Sequence, residues 1–361
     1  MAKLKVGIFT WDFEPIAGGI GIHASELYRA MLEDRNFEPM VFSPSETRLP
    51  GHITVKRILS GQFGQLIFSL QCALVCEKMI QKYSLDLVHF MGSSGGVQLL
   101  RRASKPAVYT LNNTYFYLNR KFPSIKFMFM KFLEKLSLRN SSFRTAISRG
   151  IVDEINSDYK CDLRVVYIGI DQKLFKPSGK PGANKAILYV GRLEERKGVM
   201  DLLEAFAHLK DKRLQLWFVG EGPAGEKIPQ KAVAMGVEGN VKIFPKVPRE
   251  KLPEFYSSAT LSVLPSWSEG FGLTIAEAMS CGCAVIGSDI PGIRDQIDDG
   301  KNGFLCRPKD PADLAKKLRA ALAMGNGLQK IRENAIIKSK NFTVSKMMSD
   351  YAKIYSMLVE K

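Results

Sequence analysis

The sequence predicts an α/β protein built as two doubly wound parallel sheets, and three observations carry that prediction. The chain has 361 residues, long for one domain and comfortable for two. Short apolar runs alternate with helix-patterned segments through the first half, stop, and restart near residue 186. Between the two series lies a stretch, residues 168–183, that carries Pro177, Gly179, Pro181 and Gly182. Proline and glycine at that density mark a linker.

The elements follow in order. Residues 5–10 are a β-rich run. Asp12, Glu14 and a glycine cluster come directly after it, so the run reads as a first buried strand and not as a signal peptide. Residues 21–33 carry His23, Leu27, Ala30 and Met31 along one side of a helix, and residues 38–43 form the next strand. The most apolar segment, residues 66–76, is broken by Ser69 and Gln71. It is shorter than the roughly 20 residues a bilayer span needs, so a cytoplasmic protein is expected. Residues 85–90 and 107–111 close the first series. In the second, strands are predicted at 186–190, 214–219, 241–244, 261–264 and 284–286, with helices at 199–209, 273–279 and 312–323. Strands alternating with helices imply parallel βαβ units.

Hydrophobic residues make up 45% of the chain and charged residues 24%, ordinary for a globular protein. The six cysteines have no disulfide or zinc spacing and read as small core residues. No metal site is expected. The net charge is +16 and is unevenly placed: residues 101–149 hold eleven Lys or Arg and one acid, Glu134. Such a local excess attracts a polyanion or an anionic membrane.

Three segments carry chemistry. Glu269-Gly270-Phe271-Gly272-Leu273-Thr274-Ile275-Ala276-Glu277 joins a strand end to a helix start. Amides at a helix N-terminus form an anion site, and glycines let a phosphate come close. A phosphate needs no carboxylate, so Glu269 and Glu277 point to hydroxyl recognition. Gly191-Arg192 and Lys197-Gly198 likewise lie between a strand and a helix. Two cations there neutralise a leaving diphosphate without a metal; with Glu194, Glu195 and Arg196 beside them, the segment also reads as a solvated charged loop. The loop Gly18-Gly19-Ile20-Gly21 either cradles phosphate or permits tight packing. It matches neither G-x-G-x-x-G nor G-x-x-x-x-G-K-[ST].

With Gly169 and Asp171, Gly220 to Pro223, and Asn302-Gly303-Phe304, these segments resemble, in order and over almost the whole chain, the retaining glycosyltransferase family 4 of the GT-B fold. The resemblance implies two Rossmann-like domains facing a cleft. Residues 1–168 would be the acceptor-side domain and 169–340 the nucleotide-sugar domain, with 341–361 a helix returning to the first. It implies a nucleoside diphosphate sugar, UDP- or GDP-linked, as donor, and no cofactor. Glu277 would bind the ribose and Glu269 the transferred sugar. The backbone of Phe271, Gly272, Leu273 and Thr274 would hold sugar and diphosphate, helped by Arg192, Lys197 and Gly220, with Gly19 closing from the first domain. Three positions depart. The family's Thr-x-His reads Thr110-Leu111-Asn112-Asn113, which removes a proton acceptor. Phe244-Pro245-Lys246-Val247 is short and lacks glycine, and Ile168 stands where an Asn is usual.

On the acceptor side His23, Asn112 and Asn113 are candidates. At about 100° per residue, a helix over 125–139 places Ile125, Phe129, Phe132 and Leu136 on one face, with Phe127, Met130 and Leu138 opposite among Lys126, Lys131 and Glu134. With Arg120 and Lys121, that second face is expected to meet an anionic membrane; a helix buried on both sides is the alternative. The expected acceptor is a lipid or lipid-linked glycan at the inner membrane face, with a small soluble molecule as the other choice. No helix-turn-helix or RNA-binding signature is present, so nucleic acid is not expected. Rival readings are an epimerase or phosphorylase on the same scaffold, and a nucleotide-sugar binder that has lost transfer.

Overall fold

The computed structural model describes residues 3–16, 18–56, 58–59, 61–92, 96–121, 123–178 and 184–360. Gly179, Pro181 and Gly182 of the expected linker lie outside them. The chain divides into two compact units, Met1–Gly169 with Val344–Lys361, and Ile170–Thr343.

Among the described residues the first unit holds seven parallel strands: β1 (Leu4–Phe9), β2 (Phe37–Ser43), β3 (His52–Thr54), β4 (Leu87–Gly92), β5 (Ala107–Leu111), β6 (Phe143–Ala146) and β7 (Arg164–Val165). Their order is β3-β2-β1-β4-β5-β6-β7. β4 and β5 are buried along their whole length, as expected of a parallel sheet covered on both faces. Strand alternation sorts the covering helices. Val108 packs with the C-terminal helix Val344–Val359, and the Thr110 hydroxyl lies 3.1 Å from that of Tyr351 on the same helix. Tyr109 points the other way and donates to Gln98 Oε1 at 2.6 Å. Ser137 of helix Ile125–Asn140 reaches the same oxygen at 3.1 Å. The Gln98 backbone N–H donates to the Ser69 hydroxyl of helix Gly61–Tyr83 at 3.1 Å. These two helices therefore cover one face. The C-terminal helix covers the other beside Gly19–Glu33, and its Met347, Met348, Tyr351, Ile354 and Tyr355 share a core with Val6, Ile8, Leu27 and Met31.

Helix Ile125–Asn140 corrects the expected facing. Ile125, Phe129 and Phe132 are 84%, 49% and 61% exposed, and Met128 60%. Leu133, Glu134, Ser137 and Leu138 are the buried residues, while Phe127 and Met130 are half-buried. The inner face holds polar groups with partners, which can be buried at little cost. Glu134 Oε2 accepts from the Thr114 hydroxyl at 2.6 Å and the Tyr115 amide at 2.9 Å. A count of apolar residues alone cannot see this.

The second unit contains, among its described residues, six parallel strands: β8 (Ala186–Val190), β9 (Gln215–Val219), β10 (Val241–Phe244), β11 (Leu261–Leu264), β12 (Ala284–Ser288) and β13 (Phe304–Cys306). The order is β10-β9-β8-β11-β12-β13. Helix Val199–Ala207 packs with Pro311–Ala323, and Leu273–Ser280 with Gly327–Ser339. The chain leaves β8 toward one edge of this sheet and returns to β11 to build the other. Ligands of doubly wound sheets bind beyond the strand ends where the winding reverses. All six cysteines are free thiols; five are buried and Cys161 is half-buried. Among the described residues no helix is long and apolar enough to cross a membrane.

Candidate functional site

The two loops at the reversal of the second sheet carry most of the predicted residues. After β8 the chain runs through Gly191 and Arg192 to a short 3-10 turn, Glu195–Lys197. Gly198 follows with φ +70°, and a Cβ there would come within 2.1 Å of the Pro265 carbonyl oxygen, just past β11. The loop after β8 therefore lies directly on the loop after β11. The Trp267 amide adds a bond to the Arg196 carbonyl at 2.8 Å. This contact brings Lys197 Nζ to Glu269 Oε1 at 2.5 Å, with the two side chains 18% and 10% exposed. Ser266 donates to the same oxygen at 2.7 Å.

Helix Leu273–Ser280 starts from Gly272, whose φ of +83° suits glycine. No side chain caps it; the Ile275 amide turns back to the Gly272 carbonyl at 2.9 Å, and the amides before it, at the positive end of the helix, suit an anion. Leu273 and Thr274 are half-buried there and Phe271 is buried, edge-on to Phe342 at 5.4 Å. Gln296 donates to the Phe271 carbonyl and, at 3.4 Å, to that of Gly272, which fixes the turn. One turn into the helix, Glu277 is buried. Its Oε2 accepts from the Tyr256 hydroxyl at 3.1 Å, and its Oε1 lies 3.6 Å from an Arg249 guanidinium nitrogen. Burial, then the Glu277 charge, pushes the Tyr256 phenol well above its ordinary range. Gly220 follows β9 with φ +134°, and a Cβ there would meet the Gly191 carbonyl oxygen at 2.1 Å.

The sequence pairs Arg192 with Lys197 on one anion. The structure gives each a glutamate: Arg192 meets Glu194 at 3.0 Å and is 65% exposed, while the other Glu194 oxygen holds Arg196 at 2.8 Å. The roles of Tyr256, Arg249 and Gln296 have no signal in the local sequence, because these residues come from distant segments; Ser266 lies only three positions before Glu269.

In the first unit Gly19 opens its helix, exposed, after the uncapped Gly18. His23 and Asn112 are both buried and bonded to each other, Nδ1 to Oδ1, at 2.9 Å; Asn113, next to Asn112 in sequence, is half-buried. His23 Nε2 is 3.3 Å from the Tyr351 hydroxyl, and Thr110 links Tyr351 to His89 at 2.6 Å. Burial, opposed by the Asn112 bond, holds the His23 imidazole down at about 4, so it is neutral at pH 7. Of the basic candidates, Lys131 and Arg120 both pair with Asp158, at 2.7 and 3.1 Å. Lys121 donates to the Tyr117 hydroxyl at 2.9 Å, and Lys126 lies over the Phe127 ring at 5.6 Å. Among the described residues no cluster of three His, Cys, Asp or Glu is set to hold a metal.

Residues 170–338 match the family described as glycosyl transferases group 1, and residues 17–174 match glycosyltransferase family 4. A glycosyltransferase of Methanocaldococcus jannaschii is 24% identical over 351 residues, 96% of each chain. Sucrose-phosphate synthase of Thermosynechococcus elongatus superposes with a TM-score of 0.84 at 20% identity, over 99% of each chain. HepE of Anabaena, solved with UDP and glucose, gives 0.78 at 20% identity over 98% of this chain and all of its own. At these identities the structural likeness is one of fold. Taken with the two family matches, it identifies the chain as a glycosyltransferase of the GT-B fold, related to glycosyl transferases group 1 and glycosyltransferase family 4.

Proposed function

We propose that the protein is a retaining, metal-independent hexosyltransferase that uses a nucleoside diphosphate sugar, UDP- or GDP-linked, as donor. The observation that carries this is the Lys197–Glu269 pair beside the uncapped helix that holds Glu277. A cation and helix amides supply positive charge for a diphosphate, and two carboxylates are available for hydroxyls. Glu277, held by Tyr256 and Arg249, takes the ribose; Glu269 takes the hexose. In the reaction the bond from the anomeric carbon to the phosphate oxygen breaks. A bond to the acceptor oxygen forms on the same face, and the acceptor's proton passes to the departing diphosphate. The acceptor is a lipid or lipid-linked glycan reached from the cytoplasmic side of an anionic membrane. The concentration of basic residues at 101–149 supports that choice.

Turnover in EDTA tests the role given to Lys197 and the helix amides; activity lost with EDTA and restored by magnesium overturns it. Glu277→Ala is expected to weaken binding of free nucleotide and of nucleotide sugar. Glu269→Ala is expected to spare free nucleotide and abolish transfer. Wild-type binding and turnover in both variants would refute these assignments. Donor consumed without acceptor, or with orthophosphate, would instead identify an epimerase or phosphorylase. Nucleotide bound without any consumption would identify a binding protein.

A further inference from the structure

Helix Ile125–Asn140 is packed against the usual sense. Ile125, Met128, Phe129 and Phe132 follow the i, i+3, i+4, i+7 spacing of a core-facing stripe, yet all four are exposed. The buried side instead carries Glu134 and Ser137, each hydrogen-bonded to its own unit. Neighbouring helix Gly61–Tyr83, on the same face of the sheet, also exposes Leu70 and Leu74, at 49% and 77%. Lys126, Lys135 and Arg139 are exposed on helix Ile125–Asn140. The single acid of residues 101–149, Glu134, is wholly buried, and burial pushes its carboxyl up to about 8. Residues 101–149 therefore show no acid to solvent; Asp158, from outside the stretch, pairs with Lys131 and Arg120, which leaves Lys126, Lys135 and Arg139 beside the stripe.

We infer that Ile125, Met128, Phe129 and Phe132 form a wedge that inserts into the interface of an anionic bilayer, with the neighbouring lysines and arginine at the headgroups. Charge decides the occupant. A second copy docked by two-fold symmetry would set the same basic rim against itself, and like charges facing each other are unfavourable. An anionic lipid surface complements both the cations and the apolar stripe. This rests on the membrane reading above, and adds an apolar component to the attraction by charge.

The test is co-sedimentation with phosphatidylglycerol-containing and pure phosphatidylcholine vesicles at low and high salt. Wild type is expected on the anionic vesicles, with a fraction that survives high salt, because salt screens charge and leaves apolar burial intact. Ile125→Ser/Phe129→Ser/Phe132→Ser is expected to lose that fraction and to weaken low-salt binding roughly tenfold or more. Its melting temperature and nucleotide affinity should stay at wild-type values. Phe132→Trp, in the otherwise unaltered chain, is expected to add a blue-shifted indole emission on anionic vesicles. Wild type bound but the triple variant equally bound at high salt, or a Phe132→Trp signal indifferent to vesicles, overturns the wedge and leaves electrostatic attachment standing. Wild type unbound to any vesicle overturns both, and concentration-dependent dimerisation lost in the triple variant would then assign the face to a second copy.

Discussion

Lys197 does two things at once. It holds Glu269 at 2.5 Å, and on the proposed reading it also faces the donor diphosphate. Lys197→Ala is therefore expected to weaken nucleoside diphosphate binding by about 1.5–3 kcal/mol, the range for a hydrogen bond to a charged group. Isothermal titration checks it, and an unchanged affinity would remove Lys197 from the site. Arg192 is 65% exposed and tied to Glu194, so an Arg192→Ala change should matter less in the nucleotide complex. Residue types were legible in the sequence wherever strand end, glycine and helix start follow one another, as at Glu269 and Lys197. What the sequence hid was who holds whom. Lys197 and Glu269 are 72 positions apart, and only the close approach of Gly198 to Pro265 makes them a pair.

Among the elements, the strands at 186–190, 241–244 and 261–264 were legible to the residue because short runs of mostly apolar, β-favouring residues bounded by turns have few other uses. β7 was not, being two residues long with its side chains only partly covered. Helix Ile125–Asn140 was legible in extent but reversed in facing, because Glu134 and Ser137 do inside what apolar residues normally do. That inversion has a pH signature. Burial raises the folded-state carboxyl of Glu134 from an ordinary 4.5 to about 8, against the bonds from Thr114 and Tyr115. The folded state then binds more protons than the unfolded one between those values. The group's contribution is full below pH 4.5 and is lost as pH rises through about 8. Glu134→Gln, neutral at every pH, is expected to gain on wild type steadily across that window and to hold a constant lead above it. Chemical denaturation at pH 5, 7 and 9 would show this, and a pH-independent difference would refute it.

For the whole molecule, the strand pattern separates two series, and the family resemblance implies that a last helix returns to the first domain, as it does. The first unit is closed by residues from both ends of the chain, 1–169 and 344–361, with 170–343 between them. Five side chains of helix Val344–Val359 are buried, all of them in the core of the first unit, and Tyr351 and Tyr355 bond to Thr110 and His89. Ordinarily the N-terminal domain of a growing chain folds first. Here it cannot finish until residues 344–359 have left the ribosome, by which time all of residues 170–343 have been made. The second unit is thus free to fold before the first is complete, and the nascent first unit must wait with an apolar side uncovered. Chains released after Thr343 should accordingly show a protease-resistant second unit and a degraded first one. Equal resistance of both would mean that the first unit folds without its last helix. If the second unit alone resists, order of manufacture and order of folding run in opposite directions along this chain, and its first half is expected to depend more on holding chaperones during synthesis.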